Sequence, residues 1–253
     1  MKDVKTFPRG GVHLHDYKYL TNKLPIRNAP IPAESVLAIH QHMGSPAECI
    51  VQRGDEVREG MLIGKAGGVF SANIHSPVPG IVQEIREIYL PNGVRSKAAV
   101  IALQGEFDQS GKSHKLLNWR AMSASELLDQ IRQKGIVGLG GATFPTPLKY
   151  TVREGFRAEY LVINGVECEP YLTADHRLML EKTEEILTGI RIVRRILAPE
   201  NVVLGIEENK PDAILAMEEA VQREKLDFQV VPLKMKYPQG DENPPHSSIS
   251  PWI

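Results

Sequence analysis

Hydrophobic and polar positions along the chain change rhythm near residue 118. Between residues 31 and 104 the apolar residues come in short runs, Ser35-Val36-Leu37-Ala38-Ile39 and then Glu48-Cys49-Ile50-Val51. Turn signals follow at Arg53-Gly54-Asp55 and at Pro77-Val78-Pro79-Gly80. Short β-like runs punctuated by Gly, Pro and Asp read as strands with tight connections, and no helical period interrupts them. A small all-β domain is expected there. Beyond it, Ser123-Ala124-Ser125-Glu126 sets a capping-box pattern before Leu127, Leu128 and Ile131, with Gly135 placed to close the helix. Strands are expected at 159–163, 201–206 and 228–233, and helices at about 175–197 and 211–225, the latter with Pro211 in its first turn. Such alternation predicts a parallel sheet with helices packed on it. The fold class expected is α/β, an all-β domain followed by an α/β domain. The expected boundaries are 1–30 (an extended arm rich in Pro, Gly and His), 31–104, 105–118 (a polar linker), 119–242, and 243–253, a tail without periodicity.

Composition mainly excludes. A formal net charge of −1 over 253 residues gives no electrostatic reason to expect nucleic acid or an anionic membrane surface as a partner. No run approaches the roughly 18 apolar residues that span a bilayer. Residues 1–9 lack the apolar core of a signal peptide, so a cytosolic location, free or docked on a membrane partner, is expected. The two cysteines, Cys49 and Cys168, cannot supply the thiolates of an iron–sulfur cluster, and no disulfide is expected. His13-x-His15 and His40-x-His42 share a strand face simply through the period of two. With no third ligand at turn or helical spacing, they read as solvent-facing or core-bonded histidines.

Within the β domain, the run from Val51 through Arg53-Gly54-Asp55 to Gly64 is followed by His75-Ser76-Pro77-Val78-Pro79-Gly80-Ile81-Val82. This resembles the lipoyl/biotinyl carrier-domain pattern, a flattened barrel whose modified lysine stands on the hairpin between those segments. Here that hairpin reads Ala66-Gly67-Gly68-Val69-Phe70-Ser71-Ala72-Asn73, with no lysine at its tip and Lys65 too early. The resemblance implies a docking or orienting module rather than a covalent carrier.

Two loops carry the candidate chemistry of the second domain. The first is Gly138-Leu139-Gly140-Gly141-Ala142-Thr143-Phe144-Pro145-Thr146-Pro147-Leu148-Lys149. It departs from the dinucleotide fingerprint, because Thr143 replaces the third glycine and a capped helix precedes it. Its three glycines still let backbone amides approach a flat or phosphorylated ligand, and Lys149 adds a cation. From spacing alone, a tight turn before a helix reads equally well. The second loop, Asn164-Gly165-Val166-Glu167-Cys168-Glu169-Pro170, follows an expected strand and runs on to Asp175-His176-Arg177. Ligands in open α/β sheets collect at carboxyl ends of strands, where an amide and two carboxylates suit a flavin edge, a ribose or a nicotinamide amide. The alternative is an N-cap cluster for the helix beginning near Asp175.

These two loops, followed by Tyr237-Pro238-Gln239-Gly240-Asp241-Glu242, resemble the flavoprotein subunit of respiratory complex I, which binds FMN and NADH. Joined to the β domain and an opening Gly10-Gly11-Val12-His13, they resemble the N-terminal portion of the RnfC family, peripheral subunits of the Rnf ion-translocating electron-transport complex, over roughly residues 7–242. The resemblance implies a lipoyl-like barrel-sandwich domain and a Rossmann-like α/β domain of the complex I flavoprotein type. It implies hydride transfer from NADH to FMN, with electrons passed through two [4Fe–4S] clusters to membrane subunits that drive ion transport. It assigns Gly138, Gly140, Gly141, Ala142, Phe144 and Lys149 to the flavin. Asn164, Glu167 and Glu169 would hold its ring edge or the nucleotide, and Tyr237, Gly240 and Asp241 would face the nicotinamide. No catalytic side chain or metal ligand is expected, since aligning two rings needs no protein nucleophile. Other Rnf subunits are the implied partners, on the cytoplasmic face of a bacterial inner membrane, with the isolated chain soluble.

The family's cluster-bearing downstream domains, and hence both [4Fe–4S] sites, have no counterpart in this chain. Val166 stands where the complex I pattern has an aspartate, and Asp241 where it has a glutamate. The chain alone is therefore expected to bind FMN weakly or not at all and not to relay electrons. A weaker resemblance, to the first subunit of the sodium-pumping NADH:quinone reductase, implies a role at the quinone side. A non-catalytic docking scaffold is a third reading.

Overall fold

The short runs between residues 31 and 104 pair as antiparallel strands in the computed structural model, which describes residues 4–6, 10–107, 117–139 and 141–240. Most of the expected linker, the 243–253 tail, Gly140 and Asp241 lie outside the described residues. The strands are β1 (Glu34–Ala38), β2 (Glu48–Cys49), β3 (Glu56–Val57), β4 (Leu62–Lys65), β5 (Ile74–His75), β6 (Gly80–Tyr89) and β7 (Arg95–Leu103). They form two sheets, ordered β1-β7-β6-β3 and β2-β4-β5. Both contribute to one core, in which Ile39, Val57, Ile63, Ile74, Val82 and Ile101 are buried. The β6–β7 hairpin is longer than any run the hydrophobic pattern suggests. A register shift between Val82 and Glu84 explains why. One extra residue inverts the inside–outside alternation in mid-strand, so the period of two is lost to a reader of the sequence.

After the strands, Ser123 caps α1 (Ala124–Gln133) with the full reciprocal box: its hydroxyl accepts from Glu126 N–H, and the Glu126 carboxylate accepts from Ser123 N–H. Gly135 ends that turn at φ 65°, and a Cβ there would lie 2.1 Å from the carbonyl oxygen of Asn73. Left-handed backbone and close approach together leave room for glycine alone. A single helical turn, α2 (Thr146–Lys149), follows.

The chain falls into two units, one of residues 29–151 and one of residues 1–28 with 152–253. Residues 119–151, which the change of rhythm joins to the α/β domain, group with the β strands, and the N-terminal arm groups with the α/β elements.

The α/β unit runs β8 (Tyr160–Gly165), α3 (Ala174–Glu181), α4 (Thr183–Leu197), β9 (Asn201–Glu207), α5 (Pro211–Arg223) and β10 (Phe228–Leu233). The three strands are parallel in the order β10-β9-β8, so the chain crosses the sheet in one direction. Its core takes Leu187 and Ile190 from α4, Val202, Leu204 and Ile206 from β9, and Ala213 and Met217 from α5. Leu187 and Met217 are wholly buried, each worth about 1.5–3 kcal/mol by transfer from water. The helix expected to run unbroken over 175–197 is two helices. Lys182, at φ −132° and ψ 30°, leaves the helical region. Thr183 then returns its hydroxyl to the Met179 carbonyl at 2.6 Å, a local bond that competes with helix continuation.

Candidate functional site

Each candidate loop is built inside one unit. The glycine loop belongs to residues 29–151. It is a narrow excursion closed at its base, where Gly138 N–H donates to Phe144 C=O at 2.9 Å and Val137 bridges Pro145. Gly141 turns at φ 105° and Thr143 at φ 47°. The hairpin that replaces the carrier-lysine hairpin supports it from below. Phe144 meets Phe70 edge to face, with ring centroids 5.2 Å apart, and Met43 N–H donates to Thr143 C=O at 3.1 Å. A buried histidine holds that hairpin in turn. His42 Nε2 accepts from Ala72 N–H at 3.1 Å and sits beside the Ser45 carbonyl and the Ser71 hydroxyl. Burial pushes the His42 imidazole below its usual range, the Ser45 bond opposes that, and His40 adds to it. His40 itself contacts the Gly44 carbonyl, and His13 contacts the Met235 carbonyl.

Gly141, Ala142 and Lys149 are exposed, and a Cβ on Gly141 would meet nothing within 4 Å. Backbone is thus open to a flat ligand at the loop's tip. The helix after the loop is one turn long, so no helix dipole contributes.

The acidic loop leaves β8 in the other unit. Asn164 is fully engaged: Nδ2 donates to Gly240 C=O at 3.0 Å and Oδ1 accepts from Val166 N–H at 3.2 Å. That pair brings the expected Asn164 and Gly240 together, and a Cβ on Gly240 would lie 3.0 Å from Asn164 Nδ2. Glu167, left-handed at φ 50°, turns inward and caps α3 by accepting from Asp175 N–H at 2.7 Å. Glu169 stays exposed, as does Tyr237, whose peptide bond to Pro238 is cis. The N-cap reading of this loop therefore describes Glu167, while Glu169 keeps a carboxylate toward solvent.

Under the loop lies a charge cluster that the hydrophobic pattern does not announce. Lys210 and Glu207 are wholly buried and paired at 3.3 Å. Lys210 Nζ also donates to Val166 C=O at 2.7 Å and Asn209 Oδ1 at 2.9 Å. Burial pushes Lys210 down and Glu207 up, each offset by the other's charge. Burial also raises the Asp175 carboxyl, against the pull of Lys210 and Lys18. A trace of this was available in the sequence: Lys210 stands immediately before Pro211 at a helix N-terminus, where the dipole disfavours a cation. Among the described residues no three His, Cys, Asp or Glu side chains gather as a metal site, and no helix is long and apolar enough to cross a membrane.

Two family models match the chain: the RnfC barrel sandwich hybrid domain over residues 5–106, and the Nuo51 FMN-binding domain over residues 131–249. The chain corresponds to the N-terminal portion of the RnfC family. It is 43% identical over 239 residues to the RnfC-type member of the proton-translocating ferredoxin:NAD(+) oxidoreductase complex of Clostridium ljungdahlii, covering 94% of this chain and 52% of that protein. It is 41% identical to the corresponding member of the ion-translocating oxidoreductase complex of Rhodobacter capsulatus, covering 92% of this chain and 45% of that one. The Vibrio cholerae counterpart is 38% identical, with 93% of this chain and 30% of that protein covered. The chain thus spans about half or less of the curated RnfC-family relatives it matches. The Nuo51 match takes in both loops and the Tyr237–Gly240 segment.

Proposed function

We propose that this chain forms part of the electron-entry portion of a membrane-associated, ion-translocating oxidoreductase, contributing to the binding of FMN and of NADH. The observation that carries the reading is the FMN-binding family match over 131–249, whose glycine loop has its tip backbone open to a ligand at Gly141. On this reading the α/β unit is Rossmann-like in the manner of complex I flavoproteins. The loop at Gly138, Gly140, Gly141, Ala142 and Phe144, with Lys149, serves the flavin, and Glu169 meets its ring edge or the dinucleotide. Tyr237, Gly240 and Asp241 face the nicotinamide. Asn164 and Glu167, engaged within the chain, act by shaping their loop.

Bound FMN would supply two-electron acceptance from NADH and one-electron release, chemistry that belongs to the cofactor. The chain's own contribution is to bind and align, which needs no nucleophile or metal from it. Two [4Fe–4S] clusters would be carried by the portion of the relatives that lies beyond this chain, and other members of the complex would be its partners at the cytoplasmic face of the membrane. The barrel, without a carrier lysine, orients rather than carries.

Titrating FMN into the chain, read by quenching of flavin fluorescence, tests this. Weak but saturable quenching, reduced about tenfold in affinity by Lys149→Ala or Glu169→Gln, is expected. A protein of full family length that neither quenches flavin nor reduces ferricyanide with NADH would sink the reading.

A further inference from the structure

The N-terminal arm is bound to the acidic loop through one buried lysine. Lys18 is 4% exposed, and its Nζ donates to Glu169 C=O at 3.0 Å and Leu172 C=O at 2.5 Å. The Glu167 carboxylate lies 3.8 Å from it, with both side chains almost wholly enclosed. An ammonium taken out of water needs acceptors and a counter-charge, and here the loop between β8 and α3 provides all of them. That loop has left-handed residues at Glu167 (φ 50°) and Tyr171 (φ 68°), so it does not follow a path that side chains favour unaided. Lys18 occupies its inside.

Neighbouring arm residues add to the attachment. Tyr171 N–H donates to Asp16 C=O at 2.7 Å, and the Tyr17 and Tyr171 rings stack 4.9 Å apart. The Thr21 and Thr173 hydroxyls meet at 2.8 Å. Further along, Ile26 N–H donates to the Glu181 carboxylate, and Arg177 donates to Asn22 C=O at 3.1 Å. Residues 16–26 thus form a strap across the loop and the first turns of α3.

We propose that Lys18 is a positioning residue for the acidic loop: inserted from the strap, its ammonium fixes the path of residues 167–172 and keeps the Glu169 side chain directed outward for the flavin or dinucleotide. The ligand clause rests on the flavin reading above; the strap does not. The carbonyl of Glu169 is drawn inward by Lys18 while its side chain stays exposed, so one lysine sets both the backbone and the orientation of the residue best placed to meet a ligand.

Lys18→Met in the 253-residue chain tests the proposal, with amide hydrogen exchange at residues 166–173 compared against β9. Exchange in the loop is expected to rise about tenfold while β9 holds. The FMN dissociation constant is expected to rise about fivefold, and Lys18→Arg, which keeps a cation, to restore part of both. Unchanged loop exchange overturns the proposal, whether or not the chain takes up flavin. Faster exchange with an unchanged FMN constant overturns the positioning role. An unsubstituted chain that binds no FMN counts against the flavin reading, and the exchange result alone then decides the strap. Should Lys18→Met fail to fold, Thr21→Val leaves the cation in place and removes one clasp. A rise of about threefold in loop exchange is expected there, and no rise overturns the strap.

Discussion

The glycine loop and the acidic loop are held in shape by different forces. The first rests on backbone bonds between near neighbours, Gly138 to Phe144 and Thr143 to Met43, and on one aromatic pair. The second rests on charges taken out of water: Lys18 and Glu167 inside it, and Lys210 and Glu207 beneath it. A loop fixed by backbone and rings should tolerate changes of pH and salt and yield gradually to truncation. A loop fixed by buried ions should fail abruptly when one partner is removed, because the survivor has no water to turn to.

Three measurements sharpen that contrast. The largest effect belongs to Lys210→Met, which leaves the Glu207 carboxylate enclosed without its cation and should destabilise the protein by about 3–5 kcal/mol in urea denaturation. The double change Lys210→Met with Glu207→Leu should recover most of that loss. If the single change costs under about 1 kcal/mol, the buried ions are not what holds this region. The aromatic support of the glycine loop should be milder. A double-mutant cycle on Phe70→Ala and Phe144→Ala is expected to give a coupling of about 0.5–1.5 kcal/mol, and zero coupling would remove the hairpin as its support.

The smallest effect is a slope with pH. The folded His42 imidazole sits below its unfolded value of 6.5. A depressed folded value means stability is fully present above about 6.5 and is lost as pH falls through the folded value, because the unfolded chain takes up the proton first. His75 is depressed in the same sense by burial and by Lys134. The stability curve between pH 8 and 5 should therefore be flatter in His42→Gln than in the unsubstituted chain. Parallel curves would show that His42 does not titrate as its burial demands.

What could be read in the sequence follows the same division. The capping box at Ser123, the strand 228–233 and the turn at Gly135 depend on residues a few positions apart, and the structure has them where local pattern puts them. The glycine and acidic motifs were legible as ordered residues. The engagement of Asn164 with Gly240 was not, because its partner lies 76 residues away. Lys18, in an arm that reads as merely extended, has its acceptors more than 150 residues downstream, and no window on the sequence contains both. The break at Lys182 escaped for another reason: the apolar period continues across it, and only the backbone angle changes.

The strap also bears on how the chain is made. Lys18 leaves the ribosome 151 residues before Glu169. At roughly 5–20 residues per second, the lysine waits about 8–30 s for the carbonyl it will bind. The strands of the β unit are complete in that interval, while residues 4–26 stay without their partners. The α/β unit is therefore discontinuous along the gene, with its first piece translated early and the remainder after a whole intervening unit. A circular permutant that begins at residue 29 and appends residues 1–28 after the last strand would shorten that wait, and it would turn a long-range closure into a local one.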